Sequence, residues 1–230
     1  MATAVVTGTS SGIGEAIARM LLQERYSVIG ISRRRGAIED EGFSHLPCDL
    51  SDSEAIESLK KELLAHGDLK LLVNAAGFGR FEPHEELSPA IITDMIALNL
   101  TAPILLANML LRPLKHHHGM IINITSIEAT RHSKFSALYT ATKAGLRAFG
   151  HTLFEEVRSA GIGIVTINPD MTDTAFFNDL RFGVGKSEDT KLFAEDISQT
   201  VRHLLELREE ISVTDLTIRP RRFGITKKPR

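Results

Sequence analysis

Short β-branched runs alternating with amphipathic helical stretches predict an α/β protein, a doubly wound parallel sheet with helices on both faces, in one domain. Two observations carry that expectation. Several strand-like runs are apolar throughout instead of alternating, which suits strands covered on both faces. No internal repeat, low-complexity tract or linker-like shift interrupts the pattern over 230 residues, a length that suits one domain.

In order along the chain, Thr3–Thr7, Ser27–Ile31, Leu69–Asn74, Met120–Thr125, Ile162–Ile167 and Ser212–Ile218 read as strands. A short, weaker one near His45–Cys48 makes about seven. After the first strand, Ile13, Ile17, Met20 and Leu21 recur at helical spacing. Ser51 and Glu54 form a capping-box pattern ahead of Ile56, Leu59 and Leu63, which share one helix face. Ser88 followed by Pro89 signals another helix start, and Pro113 is expected to close that helix.

The composition is that of an ordinary globular chain, 43% hydrophobic and 24% charged, so a full core is available. A net charge of −2 gives no sign of nucleic-acid binding. No run of about 18 apolar residues stands out, so no membrane span is expected. The opening MATAVVTG lacks a basic region, so no signal peptide is expected and the cytoplasm is the default location. Cys48 is the only cysteine, which excludes an internal disulfide and is compatible with a reducing compartment.

The first strand runs into Gly8-Thr9-Ser10-Ser11-Gly12-Ile13-Gly14 and a helix follows at once. Glycines there let the chain turn tightly and let backbone N–H groups approach a pyrophosphate, while the helix N-terminus favours its negative charge. At the end of the second strand, where an NAD-preferring site usually has an acidic residue, stand Ser32, Arg33 and Arg34. A carboxylate would repel a ribose 2′-phosphate, whereas a guanidinium pairs with it, so NADP(H) is favoured over NAD(H).

Tyr139 and Lys143 lie four residues apart, one helical turn from each other on the same face. A phenol ordinarily loses its proton far above neutral pH, and a nearby fixed positive charge is expected to lower that pKa. Such a pair alone is common. Ser126 adds to it, because it follows Met120–Thr125 at the strand edge where open α/β sheets place their ligands.

Together Gly8-x-x-x-Gly12-x-Gly14, Asn74-Ala75-Ala76-Gly77, Asn99, Ser126, Tyr139 and Lys143 resemble the short-chain dehydrogenase/reductase family in its compact single-domain type, over essentially the whole chain. The resemblance implies a Rossmann fold and a hydride transfer between nicotinamide and a carbonyl or alcohol substrate, and the NADP preference favours a carbonyl reductase. It implies Tyr139 as general acid and base, Lys143 holding the nicotinamide ribose and lowering the tyrosine pKa, and Ser126 orienting the carbonyl oxygen. It further implies that Asn99 anchors a water linking Lys143 to solvent. By the same analogy Asp49 bonds the adenine amino group with Leu50 beside it. Asn74, Ala75 and Gly77 line the cofactor cleft, and Pro169 with Thr172 or Thr174 borders the nicotinamide. The chain departs from the family where Asp170 follows Pro169, a position usually held by glycine. The alternative reading is a catalytically silent NADP(H)-binding sensor or regulator on the same fold.

The segment from Met171 to about Lys191 is where family members vary. Phe176, Phe177, Leu180 and Phe182 make it apolar, either as a cover over a hydrophobic carbonyl compound or as packing against the domain or a second subunit. Glu128, Arg131 and His132 are candidates for bordering the same pocket. His116-His117-His118 lacks companions at ligating spacing, so no metal is expected. Arg219–Arg230 carries several basic residues and reads as an exposed tail. The resemblance also suggests a homodimer or homotetramer, with no nucleic-acid or membrane partner.

Overall fold

A computed structural model describes residues 1–228. Pro229 and Arg230, the end of the basic tail, lie outside the described residues. The chain forms β1 (Thr3–Thr7), α1 (Gly12–Gln23), β2 (Ser27–Ser32), β3 (Phe43–Pro47), α2 (Ser53–Ser58), α3 (Lys60–Leu64) and β4 (Leu69–Asn74). It continues through α4 (Pro89–Ile96), a π turn at Ala97–Thr101, α5 (Ala102–His116), β5 (Met120–Ile124), α6 (Ala137–Val157) and β6 (Gly163–Pro169). Beyond these lie β7 (Thr172–Asp173), β8 (Phe182–Val184), β9 (Leu192–Phe193), α7 (Ala194–Leu205), β10 (Asp215–Ile218) and β11 (Ile225–Lys227).

Seven strands build one parallel sheet in the order β10-β6-β5-β4-β1-β2-β3. This is the doubly wound Rossmann arrangement. Alternate residues of each strand serve opposite layers, and both layers are covered. Ala4, Val6, Val73, Ile122 and Val165 meet α1 and α7 through Ile17, Leu21, Ile197 and Val201. Val5, Leu72, Ile121 and Ile164 meet the other layer through Ile56, Leu63, Leu106, Leu110 and Leu153. The unbroken apolar runs are therefore required by the fold. The strand order reverses between β1 and β4, and a crevice opens there beyond the carboxyl ends of the strands.

Three local expectations are corrected. Asp52, not Ser51, caps α2: its carboxylate accepts the N–H groups of Glu54 at 2.8 Å and Ala55 at 3.3 Å. A charged acceptor suits the positive helix end better than a hydroxyl, and the Ser51 hydroxyl donates to Asp49 instead at 2.7 Å. Pro113 does not close its helix, because α5 runs through it to His116. Its ring imposes a helical φ and removes only one donor, while fully buried Leu110 and Leu114 hold the turn onto the sheet. Pro89–His116 is also long and apolar enough to cross a membrane by composition, with mean hydropathy 1.8 over its most apolar stretch. Its Leu106, Leu110 and Leu114 pack on the sheet.

The third concerns the C-terminal segment, which is largely exposed as expected but is not a free tail as far as Lys228. β11 pairs antiparallel with β8, Ile225 opposite Val184 and Lys227 opposite Phe182. Two of its basic side chains end on carboxylates, Arg219 on Asp170 at 3.0 Å and Arg222 on Asp189 at 3.2 Å.

The capping assignment is open to measurement. Asp52→Ala is expected to lower stability by about 1 kcal/mol, and Ser51→Ala by less than about 0.5 kcal/mol, in urea unfolding. Equal effects would show that the two share the cap.

Candidate active site

The turn after β1 approaches the loop after β4 so closely that side chains are excluded. A Cβ on Gly8, whose φ is +76°, would lie 3.0 Å from the Ala76 backbone, and one on Gly14 would lie 2.4 Å from the Gly8 carbonyl oxygen. Thr7 fastens the two segments together: its hydroxyl accepts the N–H groups of Ala75 at 2.9 Å and Ala76 at 3.0 Å. At the start of α1, Ser11 is extended and its side chain makes no cap. The first N–H groups of a twelve-residue helix thus point into the crevice, where an anion is favoured.

A cleft of about 580 Å³ opens over this turn. Gly8, Ser10, Ser11, Gly12, Ile13, Gly14, Ser32, Arg33, Arg34, Asp49, Leu50, Ala75 and Gly77 all border it. Asn74 does not. It is buried beneath the cleft, where its amide donates to Asn123 at 2.9 Å. The Asp49 carboxyl titrates below its ordinary range because the Ser51 hydroxyl and N–H donate to it, with the Arg33 charge assisting. The residues present fit a dinucleotide: a glycine cradle at a helix N-terminus, then exposed arginines at the end of β2.

On the other side of the crevice stands the expected catalytic set. Ser126 begins the turn after β5 and its hydroxyl accepts the Glu128 N–H at 3.2 Å. Tyr139, in the first turn of α6, is buried and lines the same cavity as Ser126. Lys143 lies one turn on, its Nζ 6.0 Å from the Tyr139 ring centre and donating to the Ile124 carbonyl at 3.0 Å. Asn99 is fully buried in the π turn. Its amide is engaged twice with Phe78, donating to the carbonyl at 2.8 Å and accepting the N–H at 3.1 Å. Gly77 brings these groups together, since a Cβ there would lie 3.0 Å from Asn99 Oδ1 and 3.2 Å from Lys143 Nζ.

Burial governs the electrostatics. It pushes the Tyr139 phenol above its ordinary range, against the lowering influence of the nearby Ser126 hydroxyl, with the Glu128 charge adding to the rise. Burial pushes Lys143 down to about 8. The expected lowering of the tyrosine pKa by Lys143 is thus corrected: desolvation of a phenolate outweighs an ammonium 6.0 Å from the ring.

A second cavity, of about 360 Å³, continues the cleft past Ser126 and Tyr139. Ile13, Thr174 and Phe176 border both spaces, which makes one continuous crevice. Glu128, Pro169, Thr172 and Phe177 line the second cavity, while Leu180 borders the first. His132 is exposed and lines neither, because Glu128 draws in its two neighbours, Arg131 at 2.8 Å and Ser133 at 2.9 Å. Asp170 keeps a negative φ, so the missing family glycine leaves no strain. Its buried carboxylate accepts from Arg219 at 3.0 Å and faces Arg131 at 3.8 Å. Sequence reasoning missed Phe81, whose ring lies 5.1 Å from that of Tyr139. It sits in an irregular loop, with no period to mark it.

Comparison with known proteins agrees with this geometry. The family described as short chain dehydrogenase matches residues 2–183. The chain belongs to that family. An uncharacterized oxidoreductase of Staphylococcus epidermidis is 31% identical over 225 residues, covering 94% of this chain and 96% of the relative. Among solved structures, an alcohol dehydrogenase from the archaeon Thermococcus sibiricus complexed with 5-hydroxy-NADP is 29% identical. It superposes with a TM-score of 0.85, covering 96% of this chain and 97% of that one. A metagenomic short-chain oxidoreductase in complex with NADP is 30% identical, with a TM-score of 0.78 over 95% and 96% of the two chains. This short-chain dehydrogenase is an oxidoreductase.

The buried ammonium of Lys143 generates a stability prediction. Its folded pKa lies below the ordinary lysine value of 10.5, so below about pH 8 both folded and unfolded chains carry the proton and the burial penalty is full. A displacement of that size corresponds to about 3 kcal/mol, against about 1 kcal/mol for the bond to Ile124. Lys143→Met is therefore expected to be about 2 kcal/mol more stable at pH 7. The parent should close the gap as the pH rises from 8 to 10.5, measured by denaturant titration. A gap that does not change with pH would show that the folded chain does not penalise the charge.

Proposed function

We propose that the protein is an NADP(H)-dependent carbonyl reductase acting on a small aldehyde or ketone. The observation that carries this reading is the single crevice, with a glycine cradle and Arg33 at one end and Ser126 with Tyr139 at the other. Solved relatives complexed with NADP and with 5-hydroxy-NADP support the cofactor assignment.

When bound, the nicotinamide supplies the hydride. The chain's own groups do the rest. Backbone N–H groups of Ser10 to Gly14 hold the pyrophosphate at the α1 N-terminus, and Arg33 and Arg34 with Ser32 receive the 2′-phosphate. Asp49 and Leu50 would hold the adenine, and Ala75 and Gly77 would line the cofactor cleft. In this reading Thr174, which borders both cavities, would meet the carboxamide. Ser126 orients the substrate oxygen and Tyr139 gives it a proton. Lys143 and Asn99 hold the route by which that proton is restored.

Other features fit this setting. NADP preference favours reduction, since that pool usually serves reductive chemistry. Only 33% of the most apolar stretch of Pro89–His116 is buried within the chain, which leaves surface for a second copy in a homodimer or homotetramer. Its default place is the cytoplasm.

Tyr139→Phe is expected to reduce turnover by at least about 100-fold while leaving NADPH binding within about twofold, because only the proton donor is removed. Absorbance at 340 nm with a carbonyl panel reads the first quantity and fluorescence titration the second. Retained turnover would refute the assignment, and NADPH binding without turnover by the parent would favour the sensor reading. Arg33→Ala should weaken NADPH about tenfold and NADH less than about threefold. Equal losses would show that Arg33 does not read the 2′-phosphate.

A further inference from the structure

The family match ends at residue 183, so the C-terminal segment lies beyond it. Yet this segment reaches back to the cavity beside Tyr139, where Phe223 and Ile225 join the lining. Both are apolar and largely open, at 64% and 47% exposure, and the third open apolar group of that lining, Phe135, is 46% exposed. Phe135 is held at a φ of +65°, a conformation side chains rarely adopt. Three of the exposed large apolar side chains among the described residues therefore cluster at one cavity mouth instead of scattering singly.

The segment is fastened at both ends to what it covers. Arg219 starts it on buried Asp170. Arg222 donates its N–H to the Asp189 carbonyl at 2.8 Å, and Gly224 passes Thr190 so closely that a Cβ would lie 2.8 Å from the threonine Cβ. β11 then pairs with β8, and Lys228 places its ammonium on the carbonyls of Phe177 and Asn178. The residues so gripped, 177 to 190, form the variable wall that carries Phe177 and Phe182 into the cavity.

We propose that residues 219–228 are a specificity-determining strap. It fixes the variable wall and adds Phe223 and Ile225 to the pocket, selecting carbonyl compounds with an aromatic or branched apolar group over short ones. This rests on the cavity being the substrate site. A phenyl-sized group entering there removes its own surface and that of two exposed side chains from water.

The test uses the full chain and two variants. For Phe223→Ala/Ile225→Ala, kcat/KM with NADPH is measured for a phenyl-substituted aldehyde and for a two- or three-carbon aldehyde. The ratio is expected to fall about tenfold, the scale set by apolar contacts in a pocket, with NADPH affinity unchanged. A constant ratio overturns the proposal. So does a constant ratio with loss of an oligomer in size exclusion, which would make the rim a contact between copies. For Lys228→Met, trypsin cleavage at Arg181, Lys186 and Lys191 is followed by mass spectrometry with no substrate present. Cleavage at least fivefold faster supports the strap, and an unchanged rate overturns it. If no aldehyde is turned over by the parent, the carbonyl-reductase reading fails, while the proteolysis result still decides whether the segment grips the wall.

Discussion

The approach of the β1–α1 turn to the loop after β4 is the constraint on which the rest of the site depends. The two backbones can meet there only because Gly8 carries no side chain, and the turn can close onto its own helix only because Gly14 carries none. The Thr7 hydroxyl then pins Ala75 and Ala76 from one side, and the Asn99 amide pins Phe78 from the other. Gly77 lies between these anchors, against Lys143 Nζ and Asn99 Oδ1. One loop of four residues therefore forms a wall of the nucleotide cleft and fixes the space around the proton-handling groups. The π turn at Ala97–Thr101 belongs to the same device, since it seats Asn99 against that loop. Such turns recur at functional sites because an extra residue redirects a side chain without ending the helix.

Burial then sets the chemistry. The same burial pushes the tyrosine up and the lysine down, so the phenol keeps its proton and the ammonium holds its own weakly. A protonated phenol in the same cavity as the Ser126 hydroxyl is able to donate a proton. Ionising it would place a phenolate where desolvation opposes one. Glu128 strengthens that bias, because its charge also raises the phenol pKa. Glu128 is itself held by Arg131 and Ser133, so the turn after β5 tunes the acid without touching the nucleotide cradle.

What could be read from the sequence follows from where regular periods and fixed motifs govern. Both layers of the sheet were legible because strands covered on two faces must be apolar at every position, as Ala4, Val5 and Val6 are. The glycine turn and the Ser126, Tyr139 and Lys143 set were legible as motifs at fixed spacing. Ser51 against Asp52 was not, since adjacent oxygen-bearing side chains compete for one helix end and only geometry decides. Pro113 was misjudged because tertiary packing of Leu110 and Leu114 outweighs one lost hydrogen bond. The direction of the Tyr139 shift depends on burial depth, which pairwise spacing does not contain. Phe81 and the strap lie in irregular backbone, and the basic residues of the strap concealed that its acceptors are carboxylates and carbonyls within the chain.

The two halves of the crevice are supported by different means, and this bears on how each can change. The nucleotide side is backbone at the centre of the sheet, so most substitutions there disturb the fold. The cavity beside Tyr139 is built from segments joined by side chains, and Asp170 is their junction. Its carboxylate, 2% exposed, faces Arg131 from the turn after β5 and Arg219 from the start of the C-terminal segment. Removing either partner of a buried charge costs several times what an exposed pair contributes. The residue that departs from the family pattern therefore ties three segments into one wall. A glycine there would give no such tie, and the wall could vary its phenyl groups only at the expense of its own order.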